Sequence, residues 1–247
     1  MGFGKLMTVG TAAGSRTIQS SQLRNLIDLL LSDEMARIQS IPINHPRESL
    51  SRSPAKVEIL LNSLLVFIER GITEVTVQDL LNAAGISRRT FYKYFRNKID
   101  VLESLYKLAV DVMVVRFKMR ASQAQTIDEA AVGWVDVSFE YHRDLGPVIR
   151  MMQEEAIRSE SPLAPHRRQA QGVVVEIMNE ELLRISGQSV DPLALKALLW
   201  LMESASMELL REGVARADHL AHWRQVMIDM TSAVFARALD QGARRSG

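Results

Sequence analysis

GISRRTFYKYF, residues 85–95, sets one glycine, one isoleucine, a serine, a threonine, three basic residues and four aromatics in eleven positions and contains no acid. Gly85 is the residue type that closes a helix in a left-handed turn, and Ser87 is a good N-cap for a following one. Upstream, Thr76 and Asp79 give T-x-x-D, a variant of the capping box, ahead of the apolar Leu80, Leu81 and Ala84. The spacing therefore predicts a short helix, a glycine turn and a second helix of barely two turns over 88–94. Asn97 then caps a long helix through Leu102, Leu105, Leu108, Val112 and Val115.

Helical periodicity continues in both directions, and almost nothing alternates as a strand does. Before the segment, Val57, Leu60, Leu61, Leu64, Leu65 and Ile68 form one apolar face that stops at Gly71. Residues 41–54, IPINHPRESLSRSP, hold three prolines and read as a linker. It separates that helix from an amphipathic stripe over 20–39, with Leu23, Leu26, Ile27, Leu30, Leu31, Met35 and Ile38. Residues 1–17 are rich in glycine and small residues and are expected to be mobile. Met7 offers an alternative start. Beyond the segment, helices are expected near 126–144, 147–159, 163–186, 191–213 and 218–240. Pro147, Gly187, Asp191-Pro192, Gly213 and Asp218 supply their punctuation. No internal repeat is evident. The expected fold is all-α: an extension over 1–50, a small helical unit over 51–107 and a larger helical domain over 108–247.

The 247 residues are 47% hydrophobic and 24% charged, a globular balance that excludes wholesale disorder. With no cysteine, disulfides, thiol nucleophiles and cysteine-held zinc are excluded together. No apolar run reaches the roughly 20 residues of a membrane span, and no secretory leader is recognisable, so a cytoplasmic protein is expected. The net charge of +1 conceals an asymmetry. Residues 1–107 carry 14 Lys and Arg against 10 Asp and Glu, whereas 108–247 carry 16 against 19. Positive charge is concentrated in Arg88, Arg89, Lys93, Arg96 and Lys98, with no acid from 85 to 98.

A short helix, a glycine turn and a second short helix compose the helix-turn-helix, whose second helix enters the DNA major groove. Phe91 and Phe95 are four apart and share the inward face. Arg88, Arg89, Thr90, Tyr92, Lys93 and Tyr94 are left outside. Arginine and lysine donate to guanine edges or phosphates, the threonine methyl touches thymine, and tyrosine hydroxyls reach phosphate oxygens. Lys98, beside a helix N-terminus, is expected to add a phosphate contact.

The span TVQDLLNAAGISRRTFYKYFRNKIDVLESLY, 76–106, resembles the DNA-binding segment of the TetR family of bacterial transcription regulators. The resemblance rests on Thr76, Ala84-Gly85, Ser87, Thr90-Phe91-Tyr92, Tyr94-Phe95 and Lys98. Residues 51–247 share the family's length and helical layout, while 1–50 have no counterpart. The resemblance implies a homodimer on a near-palindromic double-stranded operator, most often a repressor released by a small molecule; an activator of the same fold is the alternative. It makes Thr76, Arg88, Thr90, Tyr92, Lys93, Tyr94 and Lys98 DNA-contact candidates, with Ser87 and Arg89 completing the set. Arg88-Arg89 is bulkier than the family's frequent small pair.

For a small, largely apolar effector, Trp134, His142, Met151, Met152, Met178 and Trp200 are the candidate lining, although Met and Trp also serve as plain core fillers. The last two long helices, 191–213 and 218–240, are expected to form the dimer interface. No cofactor, metal or membrane is expected as a partner. His219 and His222 have helical spacing but no third ligand, and no catalytic motif or carboxylate dyad is present, so neither an enzyme nor an adaptor without DNA is favoured.

Overall fold

Helix α1, Pro54–Arg70, turns Ile59, Leu60, Leu64 and Phe67 fully inward, each at most 1% exposed. Leu61 and Leu65, expected on the buried face, are only half-buried. Phe67 replaces them inside, because its larger apolar surface gains more from leaving water. These residues belong to a computed structural model that describes residues 54–211 and 217–246. The expected helix over 20–39, the linker ahead of Pro54 and the stop at Gly213 lie outside the described residues.

The next three helices follow the local signals closely. In α2, Val77–Ala84, Asp79 N–H donates to Thr76 Oγ1 at 3.3 Å and Thr76 N–H donates to Asp79 Oδ2 at 2.9 Å, so both halves of the capping box form. Gly85 closes α2 with φ 62°, a left-handed conformation that would strain any side chain, and Ile86 N–H returns to the Leu81 carbonyl at 3.1 Å. Ser87 Oγ accepts from Thr90 N–H at 3.1 Å to cap α3, Arg88–Tyr94. Asn97 then caps α4, Lys98–Ala121, through Asp100 N–H at 3.0 Å.

α4 is buried on nearly every side, with Val101, Leu102, Leu105, Val112, Val115 and Phe117 in the core. It packs against α1 and also against α5 and α6, which explains an apolar surface that runs around the helix instead of along one stripe. The expected domain boundary at 107 therefore falls inside a continuous helix.

α5, Ile127–Ala156, begins at the Thr126 cap and runs through Gly146, whose φ 36° and ψ −117° are not helical. The two helices expected on either side of Pro147 are thus one helix with a kink, placed where the glycine tolerates the backbone and the proline has no N–H to donate. α6, Ala164–Ser186, ends at the left-handed Gly187. In α7, Pro192–Arg211, the Asp191 carboxylate accepts from Leu193 N–H at 2.8 Å. α8, Ala217–Ser246, packs on α5 and α7. Trp134 of α5 and Phe235 of α8 meet edge to face at 5.0 Å, and Arg224 holds Asp136 through two hydrogen bonds of 2.5 and 2.9 Å.

One turn before the kink, His142 is buried, with Nδ1–H donating to the Ser138 carbonyl at 2.7 Å. Its Nε2 has no partner among the described residues. Burial pulls the imidazole down to about 4 from its ordinary value near 6.5, outweighing the Ser138 bond, so the folded protein keeps it neutral. Between those values the unfolded chain binds a proton that the folded chain refuses, so stability falls as pH falls. Going from pH 7 to pH 5, this group removes about 2 kcal/mol. Urea denaturation of the protein and of His142→Leu at both pH values checks this, with a shallower pH dependence expected in the variant.

Candidate nucleic-acid interface and inner pocket

The seven residues of α3 are too few to be helical alone. Both ends are capped, and the middle is anchored: Phe91 is 0% and Phe95 2% exposed, their rings 5.8 Å apart. Lys56 of α1 lies over the Phe95 ring at 5.6 Å. With that face fixed inward, Arg88, Arg89, Tyr92 and Lys93 point to solvent, Tyr92 with 53% of its surface exposed. Its ring meets Phe91 edge-on at 5.4 Å, and Lys93 Nζ sits 5.4 Å from the Tyr94 ring. Thr90 and Tyr94 are half-buried at the margin, Tyr94 packing on the core.

Three polar contacts orient this face. Arg88 Nη2 donates to Gln78 Oε1 of α2 at 2.7 Å, which aims the guanidinium while leaving other N–H groups to donate outward. Arg70 of α1 pairs with Asp79 at 2.6 Å, joining the end of α1 to the start of α2. Hydrogen bonds from Thr76, helped by Arg70, hold the Asp79 carboxyl below the usual carboxylate range. Thr76 and Ser87 are exposed, but each already uses its hydroxyl oxygen in a cap.

Lys98 departs from its expected role as a free phosphate donor. Its Nζ donates to the carbonyls of Ile72, Thr73 and Val75 at 3.0, 2.8 and 2.6 Å. An ammonium has three protons, and three carbonyls of the α1–α2 turn take them. Lys98 thus closes the turn below α2 and ties it to the first residue of α4. Gln78, which sets Arg88, was missed from sequence, since an exposed glutamine on a short helix carries no signal of its own.

A second constellation lies within the C-terminal helices. A small pocket of about 10 Å³, room for about one water, lies between α4, α5, α6 and α7. Val110, Met113, Ile149, Met152 and Leu199 give it apolar walls, and Tyr106, Tyr141, Gln153, Arg167, Gln171 and Glu203 give it a polar side. Arg167 pairs with Glu203, and Gln171 donates to both Glu203 oxygens at 3.2 and 3.1 Å. Tyr141 O–H donates to the Ala109 carbonyl at 3.0 Å. Of the residues expected to line an effector cavity, Met152 lines this pocket. Trp134, His142, Met151 and Met178 are buried elsewhere in the core, and Trp200 is 43% exposed beneath Lys196, whose Nζ is 5.3 Å from the ring. The sequence held a signal for the lining of this pocket: Arg167 and Gln171 interrupt the otherwise apolar stripe Ala170, Val174, Met178 of α6.

Among the described residues no group of three or more His, Asp or Glu is placed to hold a metal, and no helix is long and apolar enough to cross a membrane. His219 Nε2 accepts from Trp223 N–H at 3.0 Å.

Residues 59–105 match the model for bacterial regulatory proteins of the tetR family. The transcriptional repressor KstR2 of Mycolicibacterium smegmatis is 27% identical over 101 residues, 41% of this chain and 49% of that protein, so the chain spans about half the length of that relative. The transcriptional repressor LfrR of the same organism is 24% identical over 190 residues, covering 76% of this chain and 94% of that one. Among solved structures, the transcriptional regulator FadR from Bacillus subtilis in complex with stearoyl-CoA superposes with a TM-score of 0.56 at 18% identity. It covers 74% of this chain and 97% of that one. Each of these proteins is a transcription regulator.

Replacing Lys98 with methionine should leave three carbonyls without their donor and lower stability by about 1–3 kcal/mol. Urea denaturation measures this; a lysine reserved for DNA would leave the midpoint unchanged.

Proposed function

This chain belongs to the TetR family of bacterial regulatory proteins, and we propose that it is a homodimeric transcriptional repressor that leaves a palindromic operator when a small, largely apolar molecule binds within its C-terminal domain. The observation that carries this reading is the exposed cationic face of α3, held rigid by two buried phenylalanines and free of any acid from residue 85 to 98. Arg88, Arg89, Thr90, Tyr92, Lys93 and Tyr94 supply the groove and phosphate contacts, with Thr76 and Ser87 at the cap positions facing the backbone. Lys98 acts mainly by fixing the turn. The protein acts in the cytoplasm, where the DNA is. Residues 51–107 form the DNA-binding unit and 108–247 the effector and dimerisation unit, with α4 common to both.

Dimerisation through α7 and α8 is supported by large apolar side chains left in solvent: Leu193 at 66%, Trp200 at 43% and Leu201 on α7, with Met230 at 44% on α8. A two-fold pairing of these helices removes that surface from water and repeats each contact twice. Two copies of α3 then meet successive major grooves, roughly 34–36 Å apart. An effector that favours another spacing changes operator affinity by about 5- to 150-fold for the coupling energies usual in such proteins.

Binding to operators selected from genomic fragments, followed by fluorescence anisotropy, tests the reading. Arg89→Ala should weaken binding by roughly 1–3 kcal/mol if it reads a base, or reduce the salt slope by about one if it meets a phosphate. Neither effect, or no fragment selected, refutes it. In sedimentation, the wild type should be a dimer at micromolar concentration and Trp200→Glu predominantly a monomer.

A further inference from the structure

We propose that Gln78 and Asn82 of α2 form a buttress that sets Arg88 to read a guanine in each operator half-site, so that Gln78 acts on sequence recognition through Arg88 and not by touching DNA itself. This deepens the repressor reading and rests on it. Arg88 is the first residue of α3, at the end of a recognition helix that meets base edges. Its Nη2 donates to Gln78 Oε1 at 2.7 Å, and Gln78 Nε2 donates in turn to Asn82 Oδ1 at 2.9 Å, one turn further along α2. The chain of bonds runs in one direction only. Turning the Gln78 amide over would set its NH2 group against the guanidinium, donor against donor. Arg88 thus fixes which way the amide points, and Asn82 keeps it lying along α2.

A neutral partner separates Arg88 from the other arginines around the turn. Arg70 is held by the Asp79 carboxylate at 2.6 Å, and Arg96 by Asp100 through two hydrogen bonds of 3.2 and 3.3 Å. A carboxylate neutralises the guanidinium it holds, which suits an arginine whose work lies within the fold. Gln78 occupies one guanidinium N–H and takes none of the charge, so Arg88 keeps its attraction for a polyanion while its long side chain is steered. In water such an exposed bond is weak; once DNA covers it and solvent leaves, the lower dielectric strengthens it. A phosphate accepts from many directions, whereas a base edge demands a fixed plane. Guanine alone presents two adjacent acceptors, O6 and N7, to the parallel N–H pair of a guanidinium. Adenine and cytosine set amino groups against those donors, and thymine offers a single oxygen beside its methyl.

Selection of bound sequences from a randomised duplex pool by the full-length protein, followed by fluorescence anisotropy on the best operator and its single-base variants, tests the assignment. One position of each half-site should demand guanine, every other base there costing about 5- to 150-fold in affinity. Gln78→Leu should shrink that preference about two- to tenfold at that position alone, with the salt slope unchanged because no charge has been removed. Arg88→Ala should abolish the preference, and adding Gln78→Leu to it should change nothing further. Residues 78 and 88 are both exposed, so neither substitution disturbs the core. The proposal is overturned if Gln78→Leu keeps the guanine preference, or if it costs as much in the Arg88→Ala background as in the wild type, which would make it a DNA contact of its own. It is equally overturned if Arg88→Ala weakens all sequences alike and lowers the salt slope by about one, the mark of a phosphate contact. Each of these results leaves the repressor reading standing, whereas a wild type that selects no sequence sinks both.

Discussion

The burial of Phe91 and Phe95 beneath a seven-residue helix is the constraint on which the remainder depends. A helix this short loses more backbone entropy than its own hydrogen bonds return. It persists because two aromatic rings are out of water and both ends are capped. The same anchoring decides the outward face. With positions 91 and 95 turned in, helical geometry leaves Arg88, Arg89, Tyr92 and Lys93 nowhere to go but solvent. Cationic and aromatic surface that would be a liability on a mobile loop becomes a pre-ordered array, which lowers the entropy lost on meeting a partner.

α4 turns this local unit into part of a larger one. Its first residue, Lys98, grips three carbonyls of the α1–α2 turn, and eight residues later, about 12 Å along the helix, Tyr106 faces the inner pocket. The helix-turn-helix and the pocket wall are thus joined by one continuous helix with no linker between them. A shift of α4 driven from the pocket would be passed to the turn beneath α2 through the Lys98 hydrogen bonds. Coupling of this kind needs a continuous body with two positions, and a helix packed on α1, α5 and α6 provides the body.

The interior of the larger domain is less uniform than its methionine and tryptophan content suggests. Arg167, Gln171 and Glu203 form a charged cluster in which both Glu203 oxygens accept while Arg167 Nε is left without a partner among the described residues. Filling the same volume with leucine would give a simpler core, since buried ion pairs seldom stabilise more than well-packed hydrocarbon. The cluster instead gives the interior one polar side among apolar walls.

The amino-acid order by itself determined the parts of this protein that are settled within a few residues. Thr76, Ser87, Asn97 and Asp191 cap where their side-chain oxygens reach the first free N–H groups. Gly85 and Gly187 end helices where a left-handed residue is needed, and Gly146-Pro147 marks the break that became a kink. The helix-turn-helix was legible for the same reason, since its caps, turn and anchoring pair all lie between residues 76 and 97. Only the tertiary structure decided the fate of Lys98 and the composition of the pocket. The lysine's partners are 23 to 26 residues away, and the pocket joins positions 106, 153, 167 and 203 from four helices. A tryptophan reads the same in sequence whether it faces the core, as Trp134 does, or solvent, as Trp200 does. Apolar periodicity says that a helix has an inner face; which distant helix supplies the opposing face is fixed only when the whole bundle excludes water at once.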